Sequence, residues 1–264
     1  MDDLLHVRRA RADLFASWQR AVRRFTHWTE RPLVATPLLA ASFGVMHAVT
    51  GAGDYLAGRV GVWLAVFGAR SEEVLVLFGG RDRALVRAGE VWRLVTCGFL
   101  HGDLAHLFFN GMAFYGLGRL CEAVFGPERL VWLFTSCVLG GAIASQAGGG
   151  DLSVGASGGI FGMMGALVAF GLRRRRRMPP GLRDVFVRQL WPWILLNLFI
   201  GAVLPFIDQY AHVGGLLAGA AQGLVLGDRI TDRGEGRWGK ALLIGAMALL
   251  CGSAGALMVS LATP

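Results

Sequence analysis

Apolar residues dominate seven long stretches of the chain, and polar or charged residues cluster between them. A helix that crosses the apolar part of a bilayer needs about 20 mostly apolar residues, and each stretch approaches that length. In chain order, we expect membrane-spanning helices at Leu33–Thr50, Asp103–Phe125, Leu130–Ala147, Val154–Leu172, Leu190–Ile207, Tyr210–Leu226 and Ala241–Ala262. The fifth contains Pro192 near its start and Pro205 near its end, where a lost backbone hydrogen bond costs least.

The segment Gly51–Phe99 is too mixed in polarity to form another span. Its apolar runs, Val60–Phe67 and Val74–Phe78, are too short to cross a bilayer, so they predict short interfacial or re-entrant helices. The predicted organisation is a tail at 1–32, a six-helix core at 33–228 with a long first loop at 51–102, and a linker with a seventh helix at 229–264.

The tail, Met1–Arg31, is polar and carries seven arginines. It has no apolar core of the kind that marks a secretory signal peptide. Phe15, Trp18, Val22 and Phe25 recur at helical spacing. The pattern indicates either a helix lying on the inner membrane surface or a solvated cytoplasmic tail.

Composition supports a membrane protein. The chain is 54% hydrophobic, above the roughly 45–50% apolar share of soluble domains, and its mean hydropathy is +0.52. Most of the 39 glycines lie inside apolar runs, where small residues let membrane helices approach closely. The cysteines show no paired spacing, so we expect free thiols rather than disulfides or a zinc site. They are Cys97, Cys121, Cys137 and Cys251.

The net charge of +8 has a topological explanation, and no nucleic-acid recognition fold is visible. Basic residues gather on the cytoplasmic side of membrane proteins. With the N-terminus inside, the basic segments Arg173–Arg188 and Arg229–Lys240 also lie inside, whereas the turns near Gly149 and Asp208 carry no arginine or lysine. Arginine outnumbers lysine 25 to one, which indicates a GC-rich genome and hence a bacterial inner membrane.

The main chemical signal is Gly155-Ala156-Ser157-Gly158, at the outer start of the fourth predicted span. A serine hydroxyl needs a base to become a nucleophile. His212 lies at the outer start of the sixth predicted span, at the same depth as Ser157. Small-residue ridges permit close approach of these two spans; they are Gly158, Gly162 and Ala166 on the fourth, and Gly215, Gly219 and Gly223 on the sixth. A Ser157–His212 pair is therefore predicted, the alternative being a histidine that only packs at a helix end.

Acyl transfer also needs donors for the developing oxyanion. His106 and Asn110 are four residues apart on one face of the second predicted span, and both side chains can donate. Backbone N–H groups near Ser157 could add another donor at a helix start. His101 lies five residues before His106 and does not share its face as a metal pair would. Since there is also no His-Glu-x-x-His motif, we expect no metal site.

Two aspartates could take part in catalysis, Asp54 in an aspartyl-protease motif and Asp208 beside His212. Gly51-Ala52-Gly53-Asp54 has the form found in membrane aspartyl proteases, but no predicted span supplies a convincing second aspartate. We expect Asp54 in the outer loop after the first span. Asp208 is four residues before His212 and could orient it, although nothing in the sequence requires this.

Together these motifs resemble the rhomboid family of intramembrane serine proteases over about Glu90–Gly223. They are, in chain order, Trp92-Arg93, His101, His106 with Asn110, Gly118 with Glu122, Gly155-Ala156-Ser157-Gly158, and His212 with Gly215 and Gly219. The resemblance implies an all-α polytopic membrane protein, with a rhomboid-like six-helix bundle plus one C-terminal transmembrane helix.

The resemblance further implies a catalytic dyad of Ser157 and His212 with no acidic third member and no cofactor. His106, Asn110 and the Ser157 amide would form the oxyanion site.

Other positions would have supporting roles in the resemblance. Trp92 and Arg93 would anchor the first loop at the outer interface, and Glu122 would brace helices through buried hydrogen bonds. Some rhomboids have a tyrosine four residues after the nucleophile. Here Phe161 takes that place, so the packing against the histidine is kept without the hydroxyl.

The expected function is hydrolysis of single-span transmembrane proteins near their outer interface, through an acyl-enzyme. Sites with helix-weakening residues would be preferred, since glycine costs about 1 kcal/mol in a helix interior. The expected partners are these substrates and the lipid bilayer. One alternative is a pseudoprotease that binds transmembrane helices without cleavage, although such relatives typically lack the serine or the histidine. The second alternative is a channel or transporter, but no inverted repeat or pair of broken helices is evident.

Overall fold

The computed structural model of the chain describes residues 2–178, 180–204, 207–229 and 238–262. The helices are α1 Asp2–Thr29, α2 Ala35–Leu56, α3 Val62–Phe67, α4 Glu72–Leu77, α5 Arg83–Arg87, α6 Arg93–Thr96, α7 Leu104–Phe125, α8 Pro127–Gly148, α9 Ser157–Arg174, α10 Pro180–Asp184, α11 Leu190–Val203, α12 Gln209–Val225 and α13 Gly239–Ala262. Two short strands are β1 Arg81–Asp82 and β2 Leu152–Ser153. A 3-10 turn covers Cys97–Phe99, and a π-helical turn covers Val185–Gln189.

Four of the described helical segments are long and apolar enough to cross a membrane: α2, α8, 181–203 and α13. The sequence also predicts spans at α7, α9 and α12, which do not meet this criterion of length and composition. Residues 158–171 of α9 are all buried, and the buried positions of α12 are one histidine and three glycines. A helix that faces other helices needs small and polar residues more than apolar bulk. The predicted all-α polytopic membrane architecture is confirmed.

The first span is longer than predicted, because α2 continues to Leu56. Asp54 therefore lies in the last turns of α2 and is fully buried, rather than in the outer loop. Its carboxylate accepts hydrogen bonds from the backbone N–H (3.1 Å) and hydroxyl (2.6 Å) of Ser71, the residue that caps α4. The acid thus joins the end of α2 to the first loop.

The fifth span begins earlier than predicted, since helix is continuous from Pro180 through the π-helical turn to Val203. Pro192 consequently lies inside the helix rather than near its start. A proline has no N–H for the carbonyl four residues earlier, and a π-helical turn is one way in which a helix absorbs such a break. The π-helical turn contains Arg188, the residue at that distance. Pro205 is outside the described residues.

The fourth span begins at Ser157 and not at Val154. The preceding residues pair with the first loop, because β2 runs antiparallel to β1 with Arg81 opposite Ser153. Gly155 then has a φ of +125° and donates its N–H to the carbonyl of Cys97 at 2.9 Å. A positive φ is accessible to glycine without a steric penalty, so the chain can turn there and place Ser157 at the helix start.

The centre of the bundle is α9, which packs mainly against α12 and α8. A Cβ atom on Gly215, Gly219 or Gly223 would overlap the backbone of Gly158, Gly162 or Ala166, respectively. This is the close helix approach that the two small-residue ridges predict. In a bilayer such packing, rather than exclusion of water, holds helices together.

An aromatic cluster joins α2, α7 and α8. Phe43, Phe114 and Phe134 are fully buried, and their ring centroids lie 5.0–5.6 Å apart. The tilted and edge-to-face arrangements suit the charge distribution of aromatic rings.

Both ends of the chain contact this bundle. On α1, Ala21 is buried and Phe25 meets Phe186 edge to face at 6.1 Å. At the other end, α13 packs against α8 and α6, with Gly245 facing Trp132. The N-terminal segment is thus helical and partly packed on the protein, and its association with the membrane surface stays a prediction.

Candidate active site

Ser157 is the first residue of α9, and it is partly exposed. The first N–H groups of a helix have no partner within the helix, and they carry the positive end of the helix dipole. A negative charge that develops beside Ser157 would therefore face backbone donors. The serine owes this position to Gly155, where the chain turns into the helix.

The side chains of His106 and Asn110 lie against the backbone of Gly155. A Cβ atom at Gly155 would be 2.7 Å from His106 Nε2 and 3.7 Å from Asn110 Nδ2. Both predicted oxyanion residues are thus brought next to the strand-to-helix turn that carries Ser157. The absence of a side chain at position 155 is what leaves room for them.

Local contacts at the start of α7 orient His106 and determine which of its ring nitrogens carries the proton. Asp103 caps the helix by accepting the backbone N–H of His106 at 2.7 Å. The N–H of Gly102 lies 3.4 Å from His106 Nδ1, which makes that nitrogen the acceptor. The neutral ring then carries its proton on Nε2, the nitrogen that faces Gly155. Asn110 follows one turn later on the same face and is buried.

His212 lies in the first turn of α12 and stacks on Phe161 of α9. The ring centroids are 4.2 Å apart and the ring planes differ by 18°. Phe161 is four residues after Ser157, so the two share one face of α9. The stack therefore places the imidazole on the face where the serine begins the helix. Nδ1 of His212 is buried and has no hydrogen-bond partner in the described part of the chain.

The carboxylate of Asp208 serves the helix that carries His212, not the imidazole. It accepts the N–H of Ala211 at 3.1 Å and the hydroxyl of Ser145, and it lies 3.8 Å from Arg81. Its backbone carbonyl accepts the N–H of His212 at 3.2 Å.

His101 lies next to His106, one of the two predicted oxyanion residues. Its ring is 5.1 Å from that of His106 and 5.5 Å from Phe43. Burial lowers the pKa of His101 to about 3, and the neighbouring His106 and His47 add to this effect. The ring is therefore neutral near pH 7 and supports His106 by packing.

Trp92 and Arg93 tie parts of the first loop together. Arg93 is buried, and its guanidinium carbon lies 4.5 Å above the Trp92 ring. The guanidinium donates to Glu90 at 2.7 Å and also to the carbonyls of Val76 and Gly80. These contacts join α4 and α6.

Glu122 of α7 caps the start of α2. Its carboxylate accepts the backbone N–H groups of Val34 (2.7 Å), Ala35 (3.1 Å) and Thr36 (2.9 Å), and the Thr36 hydroxyl at 2.6 Å. The residue at the N-cap position of α2, Val34, supplies no side-chain cap of its own. A helix start inside a membrane needs such partners, because the lipid offers none.

Sequence reasoning missed two buried arginines of the first loop. Arg70 is buried and donates to His47 Nε2 at 2.7 Å, which joins α2 to the loop. Arg81 is fully buried and bonds to Ser145 of α8. Their partners are distant in the sequence, so no motif or spacing could have indicated either residue. Among the described residues, no three His, Cys, Asp or Glu side chains converge as a metal site would require.

The chain is similar in sequence to proteins of one known family. The family model described as "Rhomboid domain" matches residues 88–229. Rhomboid protease GluP of Bacillus subtilis (strain 168) is 34% identical over 197 residues, which are 75% of this chain and 37% of that protein. RHOMBOID-like protein 5 of Arabidopsis thaliana is 37% identical, over 56% of this chain and 48% of that protein. RHOMBOID-like protein 2 of the same plant is 30% identical, over 76% and 68%.

The chain belongs to the rhomboid family. The resemblance seen in the sequence motifs is confirmed, and with its apolar helices the chain is an integral membrane protein. It spans less than half the length of the first two relatives named above.

Proposed function

We propose that this rhomboid is an active intramembrane serine endopeptidase that uses Ser157 and His212. The observation that carries the proposal is the convergence of α7 and α12 on the start of α9. Gly155 lies against His106 and Asn110 of α7, and Phe161 holds His212 of α12. A nucleophile, a base and oxyanion donors are the parts that acyl transfer requires.

In the proposed reaction, His212 accepts the proton of the Ser157 hydroxyl as the oxygen attacks the scissile carbonyl. The tetrahedral oxyanion accepts hydrogen bonds from His106 Nε2, the Asn110 amide and the Ser157 backbone N–H. His212 then gives its proton to the departing amine, which leaves an ester on Ser157. Water hydrolyses the ester, with His212 again acting as base.

The proposed substrates are single-span transmembrane proteins. Because the site lies at one end of the bundle, their scissile bonds would lie close to a membrane interface. A folded helix hides its carbonyls in backbone hydrogen bonds, so residues that weaken helices would favour cleavage. From the distribution of arginines, we place the N-terminus in the cytoplasm of a bacterium and the site at the outer face of its inner membrane.

Purified protein in detergent tests the proposal. Wild type, Ser157→Ala and His212→Ala would be compared for cleavage of a model transmembrane substrate and for labelling by a fluorophosphonate. We expect cleavage and labelling by the wild type only. A folded wild type that binds the substrate but neither cleaves it nor labels at Ser157 would instead be a pseudoprotease. Cleavage that survives His212→Ala would show that another base acts.

A further inference from the structure

Arg81 lies in the first loop and contacts the segments that lead to Ser157 and to His212. Its side chain is fully buried. Nη2 donates to the Ser145 hydroxyl and to the Gly150 carbonyl, both at 2.8 Å, and Nη1 donates to the Asp151 carbonyl at 3.3 Å. A planar guanidinium suits such a set of acceptors, because its donors are fixed in one fork.

One branch of these contacts leads to His212. Nη2 of Arg81 lies 3.8 Å from the carboxylate of Asp208, which also accepts the hydroxyl of Ser145. The same carboxylate caps α12 through the N–H of Ala211, and His212 is the next residue. The contacts that set the first turn of α12 thus include a charge from the first loop.

The other branch leads to Ser157. Arg81 pairs with Ser153 in the two-residue β-ladder, and its side chain holds the carbonyls of Gly150 and Asp151 just before that ladder. The chain then needs only the turn at Gly155 to reach Ser157. The backbone and the side chain of one residue therefore hold the approach to the serine.

We propose that Arg81 is a positioning residue that sets the distance and orientation between Ser157 and His212, an inference that rests on the proposed protease function. It fixes the α8–α9 connection with one set of bonds and the α12 cap with another. Misplacement of catalytic groups by about 1 Å can cost on the order of 10²-fold in rate. We expect loss of these contacts to slow the chemical step and to leave substrate binding largely unchanged.

The test compares Arg81→Lys with Arg83→Lys. Arg83 is the matched control because it lies in the same loop and donates to the Gly149 carbonyl, but its ion-pair partner is the exposed Asp151 and not Asp208. Each variant would be assayed for kcat, for KM and for the rate of fluorophosphonate labelling, at a temperature where it is folded. For Arg81→Lys, we expect kcat and the labelling rate to fall at least tenfold with KM within twofold. Arg83→Lys should stay within twofold throughout.

A second pair of variants removes no charge and so guards against misfolding of Arg81→Lys. Ser145→Ala deletes the hydroxyl that bridges Arg81 and Asp208, whereas Ser136→Ala deletes a hydroxyl on the same helix that bonds to the carbonyls of Trp132 and Leu133 and to Gln222. We expect a several-fold loss of kcat and of labelling for Ser145→Ala alone.

Wild type and Ser157→Ala in the same experiment separate the two proposals. An inert wild type would overturn the protease function itself. An active wild type with unchanged kcat and labelling in both Arg81→Lys and Ser145→Ala would overturn only the positioning role. A change confined to melting temperature would do the same.

Discussion

At the scale of single residues, Asn110 offers the sharpest test of the proposed oxyanion site. It lies against Gly155 and contributes a neutral donor, so its removal changes no charge. We predict that Asn110→Ala lowers kcat by about 10²–10³-fold with little change in KM, since loss of one oxyanion donor has that effect. Steady-state cleavage of a transmembrane substrate measures both constants.

The matched control is Asn197→Ala. Asn197 is the other asparagine of the chain, and its amide donates to the Trp193 carbonyl on α11. This variant should keep the wild-type kcat. Equal kcat values in the two variants would mean that Asn110 does not stabilise the transition state.

The sequence predicts which residue types gather at the site, but not how they are held. Ser157, His212, His106 and Asn110 could be chosen because helix periodicity and depth fix which ends meet. The stacking of His212 on an aromatic ring followed from the family resemblance. The buried Arg81 could not be chosen, because contacts between a loop and distant helices leave no periodic pattern.

At the scale of helices, the side chain of Glu122 on α7 caps the start of α2. We predict that Glu122→Gln lowers the free energy of unfolding by roughly 2–4 kcal/mol. The carboxylate accepts hydrogen bonds from backbone N–H groups with both oxygens, and in glutamine one of these oxygens is replaced by an NH₂ group that cannot accept them. Thermal unfolding in detergent, followed by circular dichroism, would show the loss.

Glu128→Gln is the control for this change. Glu128 lies at the start of α8 and pairs with Arg229 at 3.2 Å, where both side chains are partly exposed. Partly exposed pairs contribute about 0–1 kcal/mol, so this variant should melt close to the wild type. A similar melting temperature for both variants would contradict the capping role of Glu122.

A second prediction at this scale concerns the contact of α9 with α12. A Cβ atom on Gly219 would overlap the Gly162 carbonyl, so Gly219→Ala must push the two helices apart. We expect a loss of about 1–3 kcal/mol in stability and a lower kcat, since His212 moves with α12. Gly116→Ala on α7, where a Cβ atom meets nothing within 4 Å, should leave kcat unchanged and should not lower stability, since alanine favours a helix interior over glycine.

Retention of full activity and stability by Gly219→Ala would show that the helices do not need their observed spacing.

The positions of most helices could be predicted from the sequence, and α7, α8, α12 and α13 begin and end within one turn of the predicted bounds. The sequence does not predict the early start of the fifth span or the β-ladder before Ser157. A π-helical turn has no distinct sequence period, and a two-residue strand is too short to show alternation.

At the scale of the whole molecule, the distribution of arginines predicts the orientation in the membrane. Single cysteines at Gly150 and Arg176, both exposed, would report on the two faces. The background would carry Cys251→Ser, because the other three native thiols are buried. In intact cells or spheroplasts, we expect an impermeant maleimide to label position 150 and not 176. Labelling of 176 from outside would reverse the proposed topology.

The overall architecture is predictable for a simple reason. Apolar length determines how many helices can span, and glycine ridges indicate which of them approach most closely. The first loop is less predictable, since its short helices are joined through buried side chains of Asp54, Arg70, Arg81 and Arg93 whose partners lie on other elements.

The burial of α9 has a consequence for how the protein is made. Its 18 residues include five glycines, and within the bundle its main neighbours are α8 and α12. Of these, α8 leaves the ribosome first, but α12 is synthesised only after the fifth span. Ser157 therefore meets its proposed base only late in synthesis, once α12 has been made.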